Sequence, residues 1–144
     1  MAQDPHNHSQ KNKPVEQMLT EQGIFVTAQR RIIAEALFAR NQHITADQLL
    51  GLVNKNSAKV SKATIYNTLG LFADKGLVRE IHINASKTFY DSNASRHHHF
   101  YNVDTGDLID MKERLVPLFL QSDLPDGTVM ETADVVVRVR NQTL

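Results

Sequence analysis

The sequence has no cysteine in 144 residues. That excludes disulfides, a thiolate nucleophile, iron–sulfur clusters and any Cys-ligated zinc. No apolar run approaches the length of a membrane span. The N-terminal stretch MAQDPHNHSQKNKP also lacks the apolar core of a secretory signal. The expectation is therefore a soluble, cytoplasmic protein with no membrane partner. There is no HExxH, no Gly-rich phosphate loop and no acid–base pair beside the histidines, so an enzyme would lack its machinery. No internal repeat is visible. The formal net charge is zero, but its distribution is uneven. Residues 1–91 carry eleven Lys and Arg against eight Asp and Glu, and residues 92–144 carry five against eight. A mildly basic front half joined to an acidic back half fits a nucleic-acid reader coupled to another function.

What is present begins with a polar tail. Residues 1–12 have no apolar period and read as disordered. His6 and His8 lie in this tail and are not expected to be ligands, because ordering it on binding would cost entropy. A first helix is expected from Pro14 to about Gln22, with Gly23 just past its end. A second follows Thr27 as N-cap and carries Ile32, Ile33, Ala36 and Leu37 on its apolar face. A third opens at Thr45, which has the T-x-x-Q spacing of a capping box with Gln48. A fourth opens at Ser61 and reads KATIYNTLGLFADKG. Ile65, Leu69 and Phe72 repeat at helical spacing and face inward, and Gly76 ends the helix.

LVREIHI then reads as a strand, INASK as a turn and TFYD as the returning strand. Three helices followed by a hairpin outline a winged helix, whose last helix enters the major groove. In the second half, HHHFYNV reads as a strand, DTGD as a turn and LIDM as a partner strand. KERLVPLFLQ reads as a short helix and DVVVRVR as a strong strand. So small a β-β-α-β domain has a thin core, which suggests sheet pairing across a homodimer.

On VTAQRRIIAEAL, HITADQLL, VSKATIYNTLGLFADKGLVREI and YDSNASRHHHFYNVDTGDLID, the sequence resembles the ferric uptake regulator family of metal-dependent transcription factors. The likeness runs from about Met18 to Arg140. Within the family it looks closest to the iron response regulator subgroup. That rests on the HHHFY run without following cysteines and on the ending DLPDGTVMETADVVVRVR. The resemblance implies an α+β chain in three parts: a tail over 1–12, a winged-helix DNA-binding domain over 13–91, and a small α/β dimerisation and sensing domain over 92–144. Typical members carry a C-x-x-C for structural zinc just after the histidines. Asn102 and Thr105 stand there in this chain, and neither side chain can replace a thiolate.

The resemblance also implies which residues read DNA. Tyr66 would touch a thymine methyl and nearby backbone, Ser61 and Thr64 would donate to phosphates, and Lys62 would neutralise one. Arg30 and Arg31 would grip phosphate from the second helix, and Arg79 and Lys87 from the wing. Asn67 stands where many members have Arg, and a bidentate Asn reads adenine, which points toward an A/T-rich operator on double-stranded DNA. On its own, Tyr66 reads equally well as a core cap. His82 on the wing is expected to face solvent or phosphate.

The histidines carry the sensing expectation. His97 and His99 would share one face of their strand and His98 the other. The resemblance adds His43, just before the third helix, and Asp91, at the hinge. His43, Asp91, His97 and His99 would then hold Fe(II), Mn(II) or Zn(II) and fix the angle between the domains. The family's second metal site is expected to be degraded, with Arg96 and Ala133 at its ligand positions. In the subgroup the HHH run is implicated in haem binding. His97, His98 and His99 would be the haem ligands, presented at the surface with Phe100 and Tyr101 beside them. In isolation, three adjacent histidines read as a solvated strand edge; their place in this pattern argues for ligands. The expected function is a transcriptional regulator, a repressor of iron homeostasis that responds to haem or iron status. The alternative is a direct Zn/Mn or peroxide-sensing regulator of the same family.

Overall fold

Helix α1 (Val15–Glu21) starts directly after Pro14 in the computed structural model, which describes residues 13–55, 59–93, 98–111, 123–131 and 133–143. The helix buries Met18 and Leu19, then closes through Gly23 at φ +72°, a conformation that strongly favours glycine. The amide of Ile24 reaches back to the carbonyl of Leu19 at 2.9 Å, completing that closure. Helix α2 (Ala28–Phe38) begins where Thr27 Oγ1 accepts the amide of Arg30 at 3.1 Å. It buries Ile33, Ala34 and Leu37, whereas Ile32 and Ala36 pack only partly against the core.

Helix α3 (Ala46–Asn54) has the complete capping box: Thr45 Oγ1 accepts the Gln48 amide, and Gln48 Oε1 accepts the Thr45 amide. Helix α4 (Lys62–Asp74) opens at Ser61, whose Oγ accepts the Thr64 amide at 3.1 Å. The side chain of Asn54 closes the connection between these helices, bonding both the amide and the carbonyl of Val60. Ile65, Leu69 and Phe72 are fully buried, as their spacing requires, and Thr68 joins them. They meet Leu19, Ile33, Leu37 and Leu49 in one cluster. Burying each such side chain stabilises the fold by about 1.5–3 kcal/mol.

Three strands complete this part of the chain: β1 (His43–Thr45), β2 (Arg79–Asn84) and β3 (Lys87–Asp91). They form an antiparallel sheet in the order β1-β3-β2, so the hairpin wing is extended by a short strand that precedes α3. No strand is expected at His43–Thr45 from the sequence. Its three residues show no period of their own; the strand exists because it pairs with β3.

The remaining strands are β4 (His99–Asn102), β5 (Leu108–Asp110) and β6 (Val136–Val139), in the order β5-β4-β6. β5 runs antiparallel to β4, and β6 runs parallel to it. The helix expected over KERLVPLFLQ falls outside the described residues. The turn after β4 is held by Asn102, whose Oδ1 accepts the amides of Asp104 and Thr105 at 2.9 and 3.2 Å. Asn102 Nδ2 donates to Asn141 Oδ1 at 2.8 Å, and the Asn141 amide donates to Asp104 Oδ2 at 2.8 Å. Where the resemblance placed cysteines, a hydrogen-bonded clasp thus ties the turn to the chain just beyond β6.

By its internal contacts the chain separates into two units, Met1–Ser95 and Arg96–Leu144. Among the described residues, no helix is long and apolar enough to cross a membrane.

Candidate metal centre and nucleic-acid interface

In the first unit, His43 opens β1 and Asp91 closes β3, and the two are register partners. Their side chains meet with His43 Nε2 3.1 Å from Asp91 Oδ2. Asp91 is 1% exposed, so its carboxylate is almost wholly withdrawn from water. Its other oxygen, Oδ1, accepts the amide of Asn93 at 2.9 Å. The neighbours of this pair are strapped down. The amide of Gln42 donates to Ser92 Oγ at 3.0 Å, and the amide of Ser92 donates to the Gln42 carbonyl at 3.1 Å. Gln42 Nε2 also donates to the carbonyls of Ala36 and Leu37, which α2 leaves without intrahelical partners. The end of the sheet is therefore fastened to the end of α2, one residue from each member of the pair.

In the second unit, His99 on β4 faces Asp110 on β5, again as register partners, with Nε2 3.3 Å from Oδ1. His99 is 2% exposed. Its amide donates to the carbonyl of Val135 at 3.1 Å, leading β6 into the sheet. Asp110 was not among the residues singled out from the sequence. Counting outward from the DTGD turn pairs Tyr101 with Leu108 and so His99 with Asp110, and that count was the available signal.

The expected surface presentation of the histidine run is not what the structure has. His98, His99 and Tyr101 are all buried. The cause is the parallel pairing of β6, which covers the start of β4. There His98 Nδ1 accepts the amide of Val135 at 3.1 Å, while the His98 carbonyl accepts the amide of Met111 at 2.8 Å. A ring nitrogen committed to a backbone amide is lost to an incoming metal or haem. Phe100 is partly buried, and His97, like Arg96, lies outside the described residues.

Along α4 and its N-cap, Ser61, Lys62, Tyr66 and Asn67 are exposed and Thr64 is partly so. Tyr66 is 46% exposed, against full burial for Ile65 beside it, so it does not cap the core. Ser61 Oγ and Thr64 Oγ1 share a hydrogen bond at 2.9 Å. Lys62 Nζ lies 3.5 Å from Asp47 Oδ1 and 5.9 Å from the centre of the Tyr66 ring. Arg30 is partly buried, and its Nη1 donates to the Phe25 carbonyl at 2.7 Å. Arg31 reaches Glu16 at 3.7 Å. On the wing, His82 Nδ1 bonds Thr88 Oγ1 and its Nε2 lies 3.3 Å from Glu80. Burial pushes the Tyr90 hydroxyl above its usual pKa, helped by the Glu80 charge and by Tyr66.

A winged helix followed by a small α/β unit, each carrying a paired His and Asp, defines the class of molecule. The profile of the ferric uptake regulator family matches residues 21–136. The chain belongs to that family, whose members are transcription regulators rather than enzymes. Among its relatives is the peroxide-responsive repressor PerR of Staphylococcus aureus, 33% identical over 94 residues. That match covers 65% of this chain and 64% of the relative, so the chain spans just under two thirds of that protein's length. A peroxide stress regulator from Campylobacter jejuni is 27% identical, with a TM-score of 0.63 over 91% of this chain and 98% of that one. The ferric uptake regulator of Pseudomonas aeruginosa, solved with manganese, shares the fold at a TM-score of 0.73 and 23% identity, over 91% of this chain and 100% of its own.

Proposed function

We propose that this protein is a metal-responsive, dimeric, DNA-binding transcription regulator acting in the cytoplasm. The observation that carries the reading is the pair of His–Asp couples, one in each unit, in a chain of this family. Imidazole nitrogen and carboxylate oxygen are ligands that Fe(II), Mn(II) and Zn(II) all accept, so the donor set fits such an ion. His43, Asp91, His99 and Asp110 would hold it, with His97 as a further ligand. A bound divalent ion supplies positive charge that lets two carboxylates share one site. Because the couples belong to different units, a common ligand would set the angle between the DNA-reading unit and the sensing unit. Ser61, Lys62, Thr64, Tyr66, Asn67 and Arg30 would make the DNA contacts, with Asn67 favouring adenine in an A/T-rich operator.

The peroxide reading has specific support. The relatives named for peroxide response are 33% and 27% identical to this chain, and its ligand set holds two carboxylates and no thiol. An iron-response role rests on the HHHFY run and the DLPDGTVMETADVVVRVR ending. Haem ligation by His98 fits less well, because its Nδ1 already accepts the Val135 amide and it is buried.

The test is a titration of metal-stripped protein with Mn(II), followed by fluorescence anisotropy on a labelled operator fragment selected from random duplexes. Operator affinity should change saturably with Mn(II) in the wild type and lose that response in Asp91→Asn. Equal responses in both proteins would remove the proposed site. A parallel haem titration should give no saturable His-type Soret shift; such a shift, lost in a His97→Ala, His99→Ala double variant, would transfer the sensing role to haem.

A further inference from the structure

The DNA-reading helix α4 is KATIYNTLGLFAD, and its sequence contains one basic residue, Lys62. That residue stands on the first turn, and lysine side chains and helix N-termini are both among the groups that contact phosphate. Its ammonium already has two neighbours. It lies 3.5 Å from the Asp47 carboxylate, on the first turn of α3, and within 5.9 Å of the Tyr66 ring centre. Both partners of the ion pair are largely exposed, Lys62 at 64% and Asp47 at 71%, so a phosphate can reach the pair. Asp47 is not needed to close α3, because Thr45 and Gln48 already form its capping box.

We propose that Asp47 is a specificity-determining residue: it holds Lys62 and so suppresses sequence-blind binding to DNA. The inference rests on the DNA-binding reading above. A phosphate that takes Lys62 must share the ammonium with the Asp47 carboxylate or displace it, and in either case it gains one contact against a like-charge repulsion. Contacts to base edges, such as those assigned to Tyr66 and Asn67, carry no such penalty. Electrostatic contacts to phosphate supply nearly all non-specific affinity, whereas base contacts supply discrimination. An acid that neutralises the helix's one cation therefore lowers the first more than the second. The Tyr66 ring keeps Lys62 on the reading face, so the ammonium stays in reach of phosphate once Asp47 is gone.

The experiment measures binding of the full chain to a labelled duplex of random sequence across a range of salt, with Mn(II) present and with EDTA. Asp47→Asn should bind several-fold tighter at low salt, with log K falling more steeply against log salt by about 0.9, the value for one added phosphate contact. Lys62→Gln should erase that gain in the Asp47→Asn background and cost less in the wild type, where Asp47 already competes for the ammonium. A merely structural role for Asp47 at its helix N-terminus would move the melting temperature but not the salt slope. An unchanged slope in Asp47→Asn, or an equal loss from Lys62→Gln in both backgrounds, would overturn the proposal while leaving the regulator reading intact. No DNA binding by either protein at any salt would overturn both.

Discussion

His99 and Asp110 face each other across β4 and β5, with the imidazole Nε2 3.3 Å from a carboxylate oxygen. The histidine is 2% exposed, whereas the Asp110 side chain keeps half of its exposure. A buried imidazole with a half-exposed acid against it is an arrangement that can bind an ion directly or orient the ring that does. Either way the charge on Asp110 matters more than its shape. Asp110→Asn should weaken Mn(II) binding about 10- to 100-fold by calorimetry. An unchanged Kd would exclude Asp110 from the centre.

The strap around the other couple gives a separate expectation. Gln42 satisfies two carbonyls at the end of α2 and exchanges bonds with Ser92. Gln42→Leu should cost about 1–3 kcal/mol in denaturant unfolding, because partly buried carbonyls lose their donor. It should also weaken Mn(II) binding, since His43 is the next residue. A loss of stability with unaltered metal affinity would separate the strap from the centre.

Tyr66 offers a contact that stability does not need. Its neighbour Ile65 is fully buried, and Tyr66 itself is 46% exposed. Tyr66→Ala should weaken binding to the selected operator by about tenfold or more, the usual cost of losing a base-reading side chain. Metal affinity and melting temperature should stay close to those of the wild type. Normal operator affinity would remove Tyr66 from the reading helix's contacts.

The clasp at Asn102 can be probed without DNA or metal. Its side chain accepts two amides and donates to Asn141. Asn102→Ala should accelerate amide exchange at Gly106, which donates to the Asn102 carbonyl in that turn, and leave the amides of α4 protected. Equal acceleration in α4 would mean that the two units unfold as one.

Much of the first unit was legible because its signals are local. The Thr45 and Gln48 capping box, the Ser61 cap, the Gly23 and Gly76 stops and the Ile65, Leu69 and Phe72 stripe each lie within a few residues of chain. What escaped was made by pairing at a distance. β1 is a strand only because β3 lies beside it. Asp110 becomes a partner of His99 only through hairpin register. His98 is expected at the surface with the rest of the HHH run, as the subgroup's haem binding implies. The parallel approach of β6, whose Val135 amide it accepts from 37 residues away, buries it instead. Chemistry was also legible where it is compositional: without cysteine, the turn after β4 had to be closed by something other than thiolate zinc, and Asn102 does so.

That parallel arrival of β6 sets an order of birth. On the ribosome, His43 and Asp91 emerge with α1 to α4 and with the whole β1-β3-β2 sheet, so the first unit has all its partners early. His99 emerges soon afterwards, but the strand that flanks it is synthesised more than thirty residues later. Each new molecule therefore passes through an interval in which all strands of its first sheet have been made and its second sheet still lacks β6. During that interval the nascent chain holds one His–Asp couple on a formed sheet, and the other waits for its sheet to be completed. Translation speed between β5 and β6 sets how long that interval lasts.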